Sequence, residues 1–324
     1  MTELGVQQTE QIRQTISAIR QNIQQVLVGQ HEIVDDVIAV LLAGGHVLLE
    51  GVPGLGKTLL VRALARSVDV EFSRIQFTPD LMPSDVVGHS LYNMGKGEFE
   101  LKKGPAYTNI LLADEINRAP AKTQSALLEV MQELQITIDG TSMKLQGPFM
   151  VMATQNPLDQ EGTYPLPEAE LDRFMVKLKL GYPSLEHELH LLLLNTAGES
   201  NESQVSGLKT VITRDQLMTM RNQATQVLVD EKLYMYALDI VRKTRSWPGV
   251  LHGAGVRASI NMIKLAKVRA LMNGREFVIP DDLKLSAKPI LRHRIILSAE
   301  AELEGTNEDD IISAILMKTE VPRE

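Results

Sequence analysis

The sequence predicts an α/β fold in which a parallel five-stranded sheet lies between two layers of helices, followed by a unit that is entirely helical. Short apolar segments with the length of strands alternate with helical periodicity over residues 1–182, a pattern typical of a parallel sheet covered on both faces. The first of these segments runs directly into a glycine-rich loop and a helix. After Gly181-Tyr182-Pro183 the strand signals disappear, so we predict a second, helical unit over residues 183–324.

Two helices precede the first predicted strand. Apolar residues recur at helical spacing within residues 8–27 and again within residues 30–44. The five strands are predicted at residues 46–50, 70–77, 109–113, 148–154 and 174–180. The first of them is apolar on both faces, as expected for a strand that is buried inside a parallel sheet.

Two insertions have the pattern of β-hairpins. One spans residues 90–103 around Gly95-Lys96-Gly97, and the other spans residues 135–145 around Asp139-Gly140. Both are expected to project from the sheet layer. In the second unit, helices are predicted at residues 185–195, 214–228, 230–245, 257–272 and 281–291, with a polar loop over residues 195–206.

The strongest chemical signal is the pattern Gly51-x-x-x-x-Gly56-Lys57-Thr58, which follows a predicted strand and opens a predicted helix. Glycines at this spacing let consecutive backbone N–H groups surround phosphate oxygens at a helix N-terminus, with Lys57 on the β- and γ-phosphates and Thr58 on Mg²⁺. A glycine-rich turn without function would rarely occur in this context. The residues predicted to hold the nucleotide here are Gly51, Pro53, Gly54, Leu55, Gly56, Lys57, Thr58 and Leu59.

Paired carboxylates end the third predicted strand, which continues into Asp114 and Glu115. Asp114 is predicted to bind Mg²⁺, and Glu115 is predicted to orient or deprotonate the attacking water. An Asp-Glu pair after a strand can also be a simple helix cap. Its position after a phosphate-binding loop favours the catalytic interpretation.

Asn156 follows the fourth predicted strand by two residues. Because the carboxyl ends of parallel strands meet at one crevice, its amide is expected beside Lys57 and Glu115, where it could contact the γ-phosphate or position water. An ordinary Asn-Pro turn is the alternative.

Three arginines are candidates for completing an active site between subunits, namely Arg173, Arg257 and Arg118. An arginine supplied by a neighbour typically accelerates phosphoryl transfer by about 10³ to 10⁵, so one is expected if the active unit is a ring. Each could instead form a surface ion pair. For Arg118 that role is as plausible as the functional one.

The composition excludes several classes of protein. The net charge of -8 and an aromatic content of 4% argue against a nucleic-acid-binding domain. The chain has no cysteine, which excludes disulfides and thiolate metal sites. The polar start and the lack of long apolar segments predict a cytoplasmic protein that does not insert into membranes.

Taken together, these motifs resemble the AAA+ superfamily, and within it the MoxR family of ATPases. The resemblance spans nearly the whole chain. It rests on residues 51–58, 75–85, 112–120, 153–157, 166–174 and 291–295.

The resemblance implies an αβα nucleotide-binding core, a helical lid, assembly into a hexameric ring and hairpins that project into its pore. It further implies sensor 1 at Asn156, sensor 2 at Arg257 and a finger acting in trans at Arg173. By the same analogy adenine lies near Val28, Gly29 and Gln30, and ATP is preferred over GTP. Family members act as chaperone-like maturation factors, often beside proteins with a von Willebrand factor A domain and sometimes in metal-centre assembly.

These observations lead to one main hypothesis, a Mg²⁺-dependent ATPase that remodels a protein partner. Two alternatives remain open from the sequence. One is a nucleic-acid motor, for which lysines of the first hairpin would be needed. The other is a nucleotide-gated binding module with negligible hydrolysis.

Overall fold

A computed structural model describes residues 5–52, 54–157, 163–196 and 205–322. The helices are Val6–Gln24 (α1), His31–Ala43 (α2), Lys57–Ser67 (α3), Pro83–Val87 (α4), Ala121–Glu133 (α5), Glu168–Leu171 (α6), Leu185–Thr196 (α7), Arg214–Thr225 (α8), Glu231–Thr244 (α9), Val256–Met272 (α10), Pro280–Leu291 (α11), Ala299–Leu303 (α12) and Glu308–Lys318 (α13). The strands are Val47–Glu50 (β1), Phe72–Gln76 (β2), Gly88–Asn93 (β3), Glu98–Lys103 (β4), Ile110–Asp114 (β5), Gln135–Ile138 (β6), Thr141–Lys144 (β7), Met150–Gln155 (β8), Val176–Lys179 (β9), Val250–His252 (β10) and Ile296–Leu297 (β11). Of the loop predicted over residues 195–206, residues 197–204 lie outside the described part of the chain.

The central sheet has five parallel strands, as the sequence predicts, and their order is β2-β5-β8-β1-β9. Successive residues of a strand point to opposite faces. In β5, Ile110 and Leu112 belong to one apolar core and Leu111 and Ala113 to the other. The first four residues of the strand are apolar because both of its faces are covered.

The two predicted hairpins are present. Strands β3 and β4 pair antiparallel from Gly88 opposite Lys103 to Asn93 opposite Glu98, so the first hairpin begins two residues before the predicted start. A Cβ on Gly88 would lie 2.3 Å from the Lys102 carbonyl oxygen, and its φ is 107°. The base of this hairpin therefore requires glycine. In the second hairpin, β6 and β7 flank Asp139 and Gly140, both at positive φ, as a tight turn of this kind requires.

The second unit is helical, with one difference from the sequence-based expectation. Strands β10 and β11 pair antiparallel, although no strands were predicted after residue 181. With three and two residues, these strands are too short to show an alternating pattern. Helices α1 and α2 pack on α10 of this unit, and α1 also packs on α3. One apolar core thus extends from the sheet into the helical unit.

Membrane crossing requires a long, uninterrupted apolar helix. No helix in the described ranges has that combination of length and hydrophobicity.

Candidate active site

The loop between β1 and α3 has the backbone geometry of a phosphate-binding loop. Gly54 and Gly56 have φ of 87° and 77°, in the left-handed region that glycine tolerates best. Helix α3 begins directly afterwards at Lys57, so its N-terminal N–H groups and positive dipole end lie at the loop. The predicted nucleotide ligand Pro53 lies outside the described residues.

A cleft of about 410 Å³ opens at the carboxyl ends of the central strands. It is lined by Gly54, Gly56, Lys57, Thr58, Leu59, Arg74, Gln76, Asp114, Glu115, Thr154 and Asn156. The cleft brings together three separate parts of the sequence, which carry Lys57 and Thr58, Asp114 and Glu115, and Asn156. Their meeting was predicted from parallel strands that end at the same edge of the sheet. The lysine among them, Lys57, donates to the Gly51 carbonyl oxygen. Burial lowers the pKa of its ammonium group, while the carboxylates of Asp114 and Glu115 oppose that shift.

Thr154 holds the two acidic residues in place, a role that sequence reasoning missed. Its hydroxyl donates to Asp114 Oδ1 at 2.6 Å and accepts from the Glu115 backbone N–H at 2.9 Å. Thr154 is 1% exposed. The available signal was a polar residue near the end of an otherwise apolar strand. Glu115 itself has φ of 55°, a conformation that costs energy in a non-glycine residue and is often found at functional sites.

Each acidic residue also faces an arginine. Arg74 on β2 lies 2.7 Å from Asp114 Oδ2, and Arg118 lies 3.0 Å from Glu115 Oε2. Arg118 was predicted to be either functional or part of a surface pair, and the structure has it paired with the candidate catalytic carboxylate. Arg74 was not predicted, because its importance depends on a neighbouring strand that is distant in sequence.

The segment predicted to bind adenine lies against the phosphate-binding loop but does not line the described cleft. Gln30 donates from Nε2 to the Leu55 carbonyl oxygen at 3.2 Å. A Cβ on Gly29, whose φ is 75°, would lie 2.9 Å from Nδ1 of His187 on α7. Gly29 and Gln30 therefore lie between the loop and α7. Contact of Val28, Gly29 and Gln30 with a base stays a prediction.

Arg173 and Arg257 lie away from this cleft. Arg173 precedes β9 and donates to the Leu128 carbonyl oxygen on α5, while Arg257 at the start of α10 has NH1 3.3 Å from Asp172 Oδ2. Because β9 runs parallel to β1, the segment before β9 lies at the amino edge of the sheet, opposite the phosphate-binding loop. The chain does not bring these two arginines to its own cleft.

Asp172 also anchors the helical unit to the sheet. Arg294 is 8% exposed, and its Nε donates to Asp172 Oδ1 at 2.7 Å while NH2 donates to the Phe174 carbonyl oxygen at 2.6 Å. The neighbouring His293 donates to the same Phe174 oxygen at 3.1 Å. The helical unit is therefore fastened directly beside Arg173 and Arg257.

The cleft has suitable groups for a magnesium nucleotide. Its hydroxyl and carboxylate oxygens, from Thr58 and Asp114, are the hard ligands that Mg²⁺ prefers, and Mg²⁺ usually completes its coordination with water and substrate phosphate. Lys57 and the glycine-rich backbone supply positive charge and donors for phosphate.

Two family models match the chain. The ATPase family associated with various cellular activities (AAA) matches residues 46–176, which contain the sheet and the cleft. The AAA lid domain matches residues 242–315 in the helical unit. The fold and the site thus define an AAA-type ATPase with a lid.

Relatives that match over most of their length assign the chain to a narrower family. The uncharacterized protein YeaC of Bacillus subtilis (strain 168) is 48% identical over 93% of both chains. Chaperone MoxR1 of Mycobacterium tuberculosis is 42% identical over 93% of this chain and 81% of the relative. The crystal structure of a candidate ATPase from Cytophaga hutchinsonii superposes with a TM-score of 0.90 at 44% identity, covering 97% of each chain. The chain belongs to the MoxR family of AAA+ ATPases.

Proposed function

We propose that this chain is a Mg²⁺-dependent enzyme that hydrolyses ATP to ADP and phosphate and uses the reaction to remodel or mature a protein partner. One observation carries the hydrolytic part of the proposal. A phosphate-binding loop, a hydroxyl and two carboxylates line the same cleft, contributed by Lys57, Thr58, Asp114 and Glu115.

Each residue then has a defined task. The loop amides and the Lys57 ammonium bind the triphosphate, while Thr58 and Asp114 hold Mg²⁺, which would neutralise charge on the phosphate oxygens. Glu115 accepts a proton from the attacking water, and Asn156 orients that water or the γ-phosphate. Thr154 holds the two acidic residues together, because its hydroxyl donates to the Asp114 carboxylate and accepts from the Glu115 backbone N–H.

The positions of two arginines support assembly into a ring, which we propose to be a hexamer. Arg173 and Arg257 lie at the sheet edge opposite their own cleft, so in a head-to-tail ring they are available to the cleft of a neighbouring copy. Such an arginine would stabilise the negative charge that develops during phosphoryl transfer.

The exposed surface of the first hairpin supports the proposal that the partner is a polypeptide. Its register puts Tyr92 opposite Phe99 on one face, with ring centroids 5.2 Å apart. Both rings are more than half exposed, and Met94 at the tip is 91% exposed. An exposed apolar face suits flexible, apolar protein segments better than a phosphate backbone. A partner with a von Willebrand factor A domain and a role in metal-centre assembly are extensions of this proposal that rest on the family resemblance.

Replacing Lys57 by alanine tests the nucleotide site. We expect affinity for Mg²⁺ with ATPγS to fall about 100-fold, because a charged group that donates to two phosphates is lost. Isothermal titration calorimetry measures this change, with a phosphate-release assay for turnover. Lys284→Ala, which removes a surface lysine paired with Asp281, is the matched control. Well-folded wild-type protein that binds no Mg·ATPγS would contradict the proposed enzyme.

A double change of Tyr92 and Phe99 to serine tests the client-binding face. Acceleration of ATP turnover by casein, an unfolded model polypeptide, is expected to need at least about tenfold more casein, since two large apolar contacts are lost. Leu91→Ser is the control, because Leu91 is half exposed on the opposite face of the same hairpin. If single-stranded DNA stimulated turnover and casein did not, the nucleic-acid alternative would be preferred.

A further inference from the structure

Arg74 forms an ion pair with Asp114, the proposed metal ligand. It lies in the middle of β2, and its NH2 group donates to Asp114 Oδ2 at 2.7 Å and to Gln76 Oε1 at 3.1 Å. The other carboxylate oxygen of Asp114 accepts from Thr154. Both oxygens of the carboxylate that would serve Mg²⁺ are therefore engaged within the protein.

A guanidinium group and Mg²⁺ compete for the same carboxylate. Bringing a divalent cation to Asp114 beside Arg74 would place like charges within a few ångströms of each other in a partly buried cleft, where screening is weaker than in bulk water. Binding of the metal nucleotide is therefore expected to weaken the Arg74–Asp114 bond.

Arg74 has the freedom to make such a move. Its side chain is 47% exposed, and both of its hydrogen bonds come from one terminal nitrogen. By contrast Arg294, which fastens the helical unit, is almost fully buried and donates from three nitrogens. Arg74 also lines the same cleft as Lys57 and Thr58, so a guanidinium released from Asp114 stays beside the nucleotide.

We propose that Arg74 exchanges partners during the nucleotide cycle, leaving Asp114 and donating to the terminal phosphate of ATP. The inference rests on the proposed ATPase function and extends it to nucleotide discrimination. With ATP, the broken ion pair is replaced by a charge-assisted bond to the γ-phosphate. With ADP in the presence of Mg²⁺, Arg74 would leave Asp114 but would find no γ-phosphate to replace the lost bond. Arg74 thereby favours the triphosphate and weakens binding of the magnesium-bound product.

Arg74→Gln separates this exchange from a purely structural role. Calorimetry would give the affinities for ATPγS and ADP in Mg²⁺, and for ADP with the metal removed by chelation. Two ratios matter, because a ratio within one variant cancels any loss of affinity that both ligands share, such as a lower fraction of folded protein. The preference for Mg·ATPγS over Mg·ADP is expected to fall about tenfold, the size of one charge-assisted hydrogen bond. The gain in ADP affinity that Mg²⁺ provides is expected to rise, since the competing cation is gone.

Arg13→Gln is the control, because it breaks a surface Arg–Glu pair with Glu10 on α1. An unchanged preference for ATPγS in Arg74→Gln would overturn the exchange. A smaller gain from Mg²⁺ would also overturn it, since Arg74 would then merely position Asp114. Wild-type protein that binds neither nucleotide would instead contradict the proposed function itself.

Discussion

Glu115→Gln is expected to lower ATP turnover by about 10² to 10⁴-fold while Mg·ATP still binds. Glutamine has nearly the shape of glutamate, but its amide cannot accept a proton from water at neutral pH. The backbone N–H of residue 115 would still donate to Thr154, so the geometry of Asp114 should be retained. Steady-state phosphate release measures the loss of turnover, and calorimetry with Mg·ATP measures the retained binding.

Glu129→Gln provides the comparison, since Glu129 is an exposed glutamate on α5. Its turnover should equal that of the wild type. A Glu115→Gln variant that hydrolyses ATP at the wild-type rate would show that another group activates the water. Loss of both binding and turnover would mean that Glu115 contributes to the ground state rather than to the chemical step.

Arg173→Ala is expected to reduce turnover by about 10³-fold or more without weakening Mg·ATP binding, because the arginine would act on the cleft of a neighbouring copy. Mixing this variant with Glu115→Gln tests that geometry directly. In a ring made of one variant alone, every interface lacks either the arginine or the catalytic carboxylate. In a randomly mixed ring, roughly a quarter of the interfaces pair an intact cleft with an intact arginine. Turnover of the mixture should therefore exceed that of either variant by at least about tenfold.

Arg173→Lys distinguishes the arginine's chemistry from its charge, since lysine keeps the charge but not the planar fork of donors. Wild-type turnover in Arg173→Ala would contradict the assignment. So would a mixture that forms mixed rings yet hydrolyses no faster than its components. The same mixing experiment with Arg257→Ala would show whether the second arginine also acts on the cleft of a neighbouring copy.

Several features of the molecule follow from short stretches of the chain. The strands could be predicted because a parallel sheet buried on both faces leaves continuous apolar segments such as residues 110–113. The phosphate-binding loop could be predicted because positive φ at Gly54 and Gly56 demands glycine at those positions. Since parallel strands end at the same edge, the meeting of Lys57, Glu115 and Asn156 also followed from their places at strand ends.

Other features depend on which distant segments become neighbours. The contacts of Thr154 and Arg74 with Asp114 exist because β8 and β2 flank β5 in the sheet, and no local pattern encodes that adjacency. The separation of Arg173 and Arg257 from their own cleft likewise depends on the direction of β9 beside β1. Helices, strands and turns depend on patterns within a few consecutive residues, so they can be predicted from the sequence. Side-chain pairing across strands depends on the packing of the whole core, so it emerges only when the chain is folded.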